Sequence, residues 1–134
     1  MSRSVEERKR RLAELLAKLR DRSQSGVPIL VEGRKDAEAL ASIGVFGKII
    51  SVKSSGHSLL DQLDELKTLK EAIILTDFDR RGAQLAKLLS RSLTENRVKV
   101  DMAIWKETRA LVKHEIKDIE GLPALLEHME AKLD

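Results

Sequence analysis

The chain has no cysteine and no tyrosine, and its 134 residues include only two phenylalanines, one tryptophan and two prolines. Without cysteine there are no disulfides, no thiolate metal site and no sulfur nucleophile. Without tyrosine there is no phenolic nucleophile. Phe46, Phe78 and Trp105 are too few for a platform that stacks single-stranded bases, so any nucleic acid would be held through its phosphates. No apolar run approaches the roughly 20 residues that a bilayer requires. The opening Met1 to Glu7 lacks the apolar stretch of a secretory signal, which makes the cytoplasm the expected location.

What is present is a heavily ionised globular composition, 42% hydrophobic and 35% charged. A chain of this size buries one core and has room for one principal site. The formal charge of +3 is unevenly spread, because residues 1 to 22 hold eight Lys or Arg against four acids (+4), which leaves −1 for the rest.

Ser4 and Glu7 form a capping-box pattern, and Leu12, Leu15, Leu16 and Leu19 recur at helical spacing, predicting an amphipathic basic helix over about residues 4 to 22. Ser23-Gln24-Ser25-Gly26 breaks it, which divides the chain into an N-terminal helix and linker, 1–26, and an α/β domain with a C-terminal helix, 27–134. Pro28 to Val31 has the unbroken apolar character of a strand buried on both faces, and it ends at Glu32-Gly33. A helix over 34 to 43, stopped by Gly44, precedes a second strand at Lys48 to Val52. Ser54-Ser55-Gly56 is the next loop, Ser58 a candidate cap for a helix along Leu59, Leu60, Leu63 and Leu66, and Ala72 to Thr76 a third strand. A long helix is expected after Gly82. Val98 to Ile104 reads as a partly alternating fourth strand nearer an edge, followed by a short helix over 108 to 113 and a last helix opened by Pro123.

Strands alternating with helices predict a parallel four-stranded sheet covered on both faces, joined by right-handed crossovers. Ligands of such folds bind beyond the carboxyl ends of the strands. Glu32 follows the first strand and Asp77 the third, so both belong on that edge. Asp79 stands two residues beyond Asp77, where an extended backbone would send both carboxylates to the same side. Three crowded carboxylates need a counter-charge, and hard oxygen ligands suit magnesium or manganese. Gly33 and Gly82 would admit close approach of backbone and phosphate. The plainer reading is that acids at strand ends only cap the following helices.

Ile29-Leu30-Val31-Glu32-Gly33 with Asp36 in the next helix resembles the first motif of the Toprim family, and Asp77-Phe78-Asp79-Arg80-Arg81-Gly82 resembles the second. The resemblance covers about residues 27 to 105. It implies a Toprim, Rossmann-like fold in which Glu32 acts as general acid or base and Asp77 and Asp79 bind magnesium, with Glu32 at the edge of the metal shell and manganese as an alternate ion. Asp36, matching the family's helix aspartate, either supports the loop or Lys35 or is a solvated helix acid. The implied activity is magnesium-dependent phosphodiester chemistry on nucleic acid, as a nuclease or RNA-processing factor. The alternative is a non-catalytic nucleic-acid-binding module within an RNA- or DNA-processing complex. Where type IA topoisomerases of the family have a third acid, this sequence has Arg81. A haloacid-dehalogenase-like phosphatase, which also places Asp-x-Asp after a strand, would require a Thr or Val that is absent here. Dinucleotide binding lacks its Gly-x-Gly-x-x-Gly.

Arg80 and Arg81 are positioned to hold a phosphate or to neutralise the acids, and Lys35, Lys53 and His57 lie on loops or helix starts expected at the same edge. Asp101 and Glu107 are candidate further ligands; His114 and His128 have no ligand-spaced partner. The Arg8-Lys9-Arg10-Arg11 run either tracks a nucleic-acid backbone, contacts an RNA-processing assembly, or is the solvated face of a helix docked through its leucines, which could instead pair two chains as a homodimer.

Overall fold

A computed structural model describes residues 4–52 and 59–133 of the chain. The elements run α1 (Val5–Gln24), β1 (Ile29–Val31), α2 (Arg34–Ser42), β2 (Ile49–Ser51), α3 (Leu59–Leu66), β3 (Glu71–Ile74), α4 (Arg80–Glu95), β4 (Lys99–Asp101), α5 (Ala103–Val112), a single 3-10 turn (Ile119–Gly121) and α6 (Leu122–Leu133). The four strands form one sheet in the order β2-β1-β3-β4, and every pairing is parallel. This is the α/β arrangement that the alternation predicts. The central strands are the most apolar, with all of β1 and Ala72, Ile73 and Ile74 of β3 buried, whereas β2 and β4 lie at the edges and are only partly covered.

Alternate side chains of the strands feed two cores. One, built on Ile29, Val31, Ile73 and Leu75, takes leucines from α1 and apolar residues from α2, α5 and α6; the other, built on Leu30, Ala72 and Ile74, takes α3 and α4. Helices therefore cover both faces, as a fully apolar parallel strand requires.

The first helix illustrates how sequence leads to position. Ser4 Oγ accepts from the Glu7 N–H at 3.1 Å, two acids occupy the first turn, and Gly26 follows the end at φ +98°, a left-handed conformation in which glycine has no Cβ penalty. Leu12, Leu15 and Leu19 are buried in the chain's own core, each contributing roughly 1.5–3 kcal/mol of apolar burial. These leucines are thus the face by which α1 docks on the chain's own core. The basic run is likewise used internally: Arg8 donates to the Leu111 carbonyl and pairs with Glu115, and Arg11 pairs with Glu14 and Glu107.

Several boundaries differ from those the sequence predicts. The helix expected after Gly82 begins at Arg80, because Asp79 caps it and draws Gly82 into its first turn. The fourth strand stops at Asp101, and Ala103 and Ile104 open α5, since Asp101 Oδ1 accepts from the N–H groups of both. Pro123 is the second residue of α6, preceded by the 3-10 turn. The loop Ser54 to Gly56, the Ser58 cap, Lys53 and His57 lie outside the described residues.

Candidate active site

At the carboxyl edge of the sheet, β1 and β3 deliver their acids side by side. Ile29 and Leu30 are in register with Ile73 and Ile74, so Glu32 and Asp77, each just past its strand, face one another. Glu32 Oε2 accepts from the Asp77 backbone N–H at 2.9 Å, which brings its charge close enough to raise the proton affinity of Asp77. Asp77 Oδ1 in turn accepts from the Ile119 N–H at 3.1 Å. Asp36 Oδ2 accepts from the Gly33 N–H at 3.1 Å, closing the turn between β1 and α2. Asp36 is only 5% exposed, so it is the loop support of the two readings and not a solvated helix acid.

The crowding has an electrostatic signature. Burial first, then the charges of Asp36 and Glu32 and a hydrogen bond to Glu32, push the Asp77 carboxyl up to about 7, although the Ile119 N–H opposes this. Asp36 is raised as well, chiefly by burial and then by Glu120, Glu32 and Asp118, with the Gly33 N–H acting against the shift. Among the described residues no ion pair neutralises Glu32, Asp36 or Asp77. The Asp77 carboxyl therefore binds a proton far more readily than an ordinary aspartate.

Asp79 has a different task. Its Oδ1 accepts from the Gly82 N–H at 2.7 Å as the cap of α4, and the residue is exposed. Gly82 has no room for a side chain: a Cβ there would lie 2.0 Å from the Asp77 carbonyl oxygen. Thr76 Oγ1 donates to the Gly82 carbonyl at 2.7 Å, and the Trp105 Nε1–H donates to the Thr76 carbonyl at 2.8 Å. Phe78 is fixed at both ends, its N–H donating to the Lys117 carbonyl at 2.7 Å and its carbonyl accepting from Arg109 Nε at 3.0 Å. The Asp-Phe-Asp turn is thus clamped by α5 and by the segment before α6.

Magnesium fits the pair in its chemistry. The donors are hard carboxylate oxygens, one oxygen of each of Glu32, Asp36, Asp77 and Asp79 is oriented by a backbone N–H, and burial together with neighbouring acids raises the proton affinity of Asp77. Among the described residues no group of three or more His, Asp or Glu side chains is disposed to hold a metal.

The remaining sequence candidates divide clearly. Arg80, Arg81 and Lys35 are exposed beside the acids and make no ion pair among the described residues, so the arginines do not neutralise the carboxylates. Asp101 and Glu107, read as further ligands, are elsewhere: Asp101 pairs with Arg22 and caps α5, while Glu107 pairs with Arg11. The sequence reading missed Asp118, Ile119, Glu120 and the Trp105–Arg109 clamp. Asp118-Ile119-Glu120-Gly121 repeats the acid-x-acid spacing before a glycine, a signal that was present, but it follows no strand, and only the chain's return across α2 brings it near.

The chain belongs to the Toprim domain family, whose model matches residues 27–103. It is 38% identical over 113 residues to a UPF0292 protein of Methanocaldococcus jannaschii, covering 84% of this chain and 87% of that one. It is 40% identical over 116 residues to a UPF0292 protein of Thermococcus sibiricus, covering 87% and 88%. Among solved structures it resembles a protein from Aquifex aeolicus, with a TM-score of 0.64 and 29% identity, covering 81% of this chain and 95% of that one. Toprim domains in general bind divalent metals such as magnesium and serve nucleic-acid processing. No helix among the described residues is long and apolar enough to cross a membrane.

Proposed function

We propose that this Toprim protein performs magnesium-dependent phosphodiester chemistry on nucleic acid, as a nuclease or RNA-processing factor. The observation that carries the reading is the Glu32–Asp77 pair at the sheet edge, where Glu32 accepts from the Asp77 N–H and the Asp77 carboxyl is pushed up to about 7. Such a pair exchanges protons at neutral pH and attracts a divalent cation. The cation, held by Asp77 and Asp79 with Glu32 at its edge, would neutralise charge developing on the phosphate. Glu32 moves the proton as general acid or base. Arg80, Arg81 and Lys35 hold phosphate oxygens, and Lys53 and His57, outside the described residues, are assigned the same role. Asp36, Gly33 and Gly82 keep the two turns in shape.

Labelled RNA and DNA incubated with the chain in magnesium or manganese test this reading. Cleavage that is lost in Glu32→Gln supports it. The absence of three acids disposed around one ion among the described residues, with Asp79 engaged as a helix cap, favours the second reading, a nucleic-acid-binding module without turnover. Tight binding without products in either metal would select that module.

A further inference from the structure

The strongest unassigned feature is a groove of about 590 Å³ between α4 and α5, beside edge strand β4. Met102 and Trp105 are among its apolar lining residues, and Lys87, Arg91 and Lys106 are its cations, against the single acid Glu95. None of these three cations makes an ion pair among the described residues. This contrasts with α1, where Arg8, Arg11 and Arg22 are each paired with an acid and Arg20 donates to the Ile43 carbonyl. Part of the basic excess that composition assigns to the N-terminus is therefore engaged within the fold, while the three groove cations remain available.

The groove also has a direction. Arg80, Lys87 and Arg91 stand at helical spacings of seven and four, so they share one stripe of α4. At 1.5 Å per residue the stripe runs about 16 Å from Arg80, beside the acids, down the flank of the molecule. Lys106 faces it from α5. We propose that this stripe holds the phosphate backbone of a nucleic-acid strand whose reacting phosphodiester lies at the Glu32–Asp77 edge. The inference rests on the function proposed above and specifies which surface delivers the substrate. Recognition is independent of sequence, because the cations are point charges or guanidinium forks on a surface with no exposed aromatic ring to stack a base: Trp105 is buried.

Fluorescence anisotropy of a labelled 20-nucleotide single strand, measured in EDTA, isolates binding from chemistry. The double variant Lys87→Glu/Arg91→Glu is compared with Lys48→Glu/Lys70→Glu, which alters two exposed residues just before β2 and β3 at the opposite, amino edge of the sheet. Both variants move the formal charge from +3 to −1, four units each, so a net-charge effect is common to them. The groove variant is expected to bind at least about tenfold more weakly than the amino-edge variant, with a salt slope shallower than the parent's by about 1.4, corresponding to two lost phosphate contacts at about 0.7 each. Equal weakening in both variants, unchanged binding in the groove variant, or binding by the parent to vesicles of phosphatidylserine and phosphatidylcholine but not to the strand would overturn the proposal. The two inferences fail separately. Groove-dependent binding without cleavage in magnesium would refute the enzymatic reading alone, and Glu32-dependent cleavage with groove-independent binding would refute the groove alone.

Discussion

Replacing Asp77 by asparagine should stabilise the metal-free protein above neutral pH while weakening its hold on magnesium. Asparagine is nearly isosteric: its amide oxygen can accept from the Ile119 N–H, and its NH2 can donate to Glu32 where the wild-type carboxyl shares a proton. The wild-type carboxyl is pushed from its ordinary 3.8 up to about 7 in the fold. Between those values the folded chain keeps a proton that the unfolded chain has released, so stability falls as pH rises from about 4 to about 7 and is level beyond. That interval is about three pH units, or about 4 kcal/mol at 1.36 per unit for a fully desolvated group. Asp77 is only half-buried, and solvent screening reduces the expected effect to about 1–2 kcal/mol. Urea unfolding in EDTA at pH 5 and pH 8 measures it, because groups that titrate alike in both proteins cancel in the difference. The variant's advantage should grow by about 1 kcal/mol between the two conditions, since about two of the three units lie above pH 5. Saturating magnesium at pH 8 should then favour the wild type, by about 2.7 kcal/mol at a hundredfold excess over Kd, with a much smaller gain for the variant. A variant that is less stable than wild type in EDTA at pH 8, or a gap that does not change with pH, would refute the account of the acidic pair.

Magnesium affinity itself should rise with pH through about 7, since the cation must displace the proton on Asp77; isothermal titration at pH 6 and pH 8 reads the difference, and equal affinities would contradict it. Gly82→Ala should destabilise by about 2–3 kcal/mol in chemical denaturation, although alanine in an unconstrained helix would gain about 1 kcal/mol, because its Cβ would collide with the Asp77 carbonyl. Trp105→Phe leaves the buried Thr76 carbonyl without its indole donor and should cost about 1–3 kcal/mol in the same assay, with a wild-type midpoint as the contrary result.

Much of this was legible in the sequence because it is local. Apolar runs at Ile29 to Val31 and Ala72 to Ile74, alternating with helices, suffice for a parallel sheet, while the order β2-β1-β3-β4 came only from the structure. Strand polarity then places Glu32 and Asp77 on one edge without knowledge of any contact. Boundaries were less legible, because side-chain caps decide them. Asp79 starts α4 two residues before Gly82, and Asp101 ends β4 early, each by accepting from backbone N–H groups that periodicity does not reveal.

The site's chemistry divides the same way. From sequence alone came the identities of the acids and their common edge, since residue type and strand polarity are sufficient for both. Only the tertiary structure decided that Asp36 is buried, that Asp118 and Glu120 raise its proton affinity, that Asp101 and Glu107 belong to ion pairs with α1, and that Lys87 and Arg91 of α4 share a groove with Lys106. Those outcomes depend on burial and on partners between about 30 and 100 residues distant in the chain. Proton affinity and ion pairing are set by what lies within a few ångströms, and no spacing rule along the sequence carries that information.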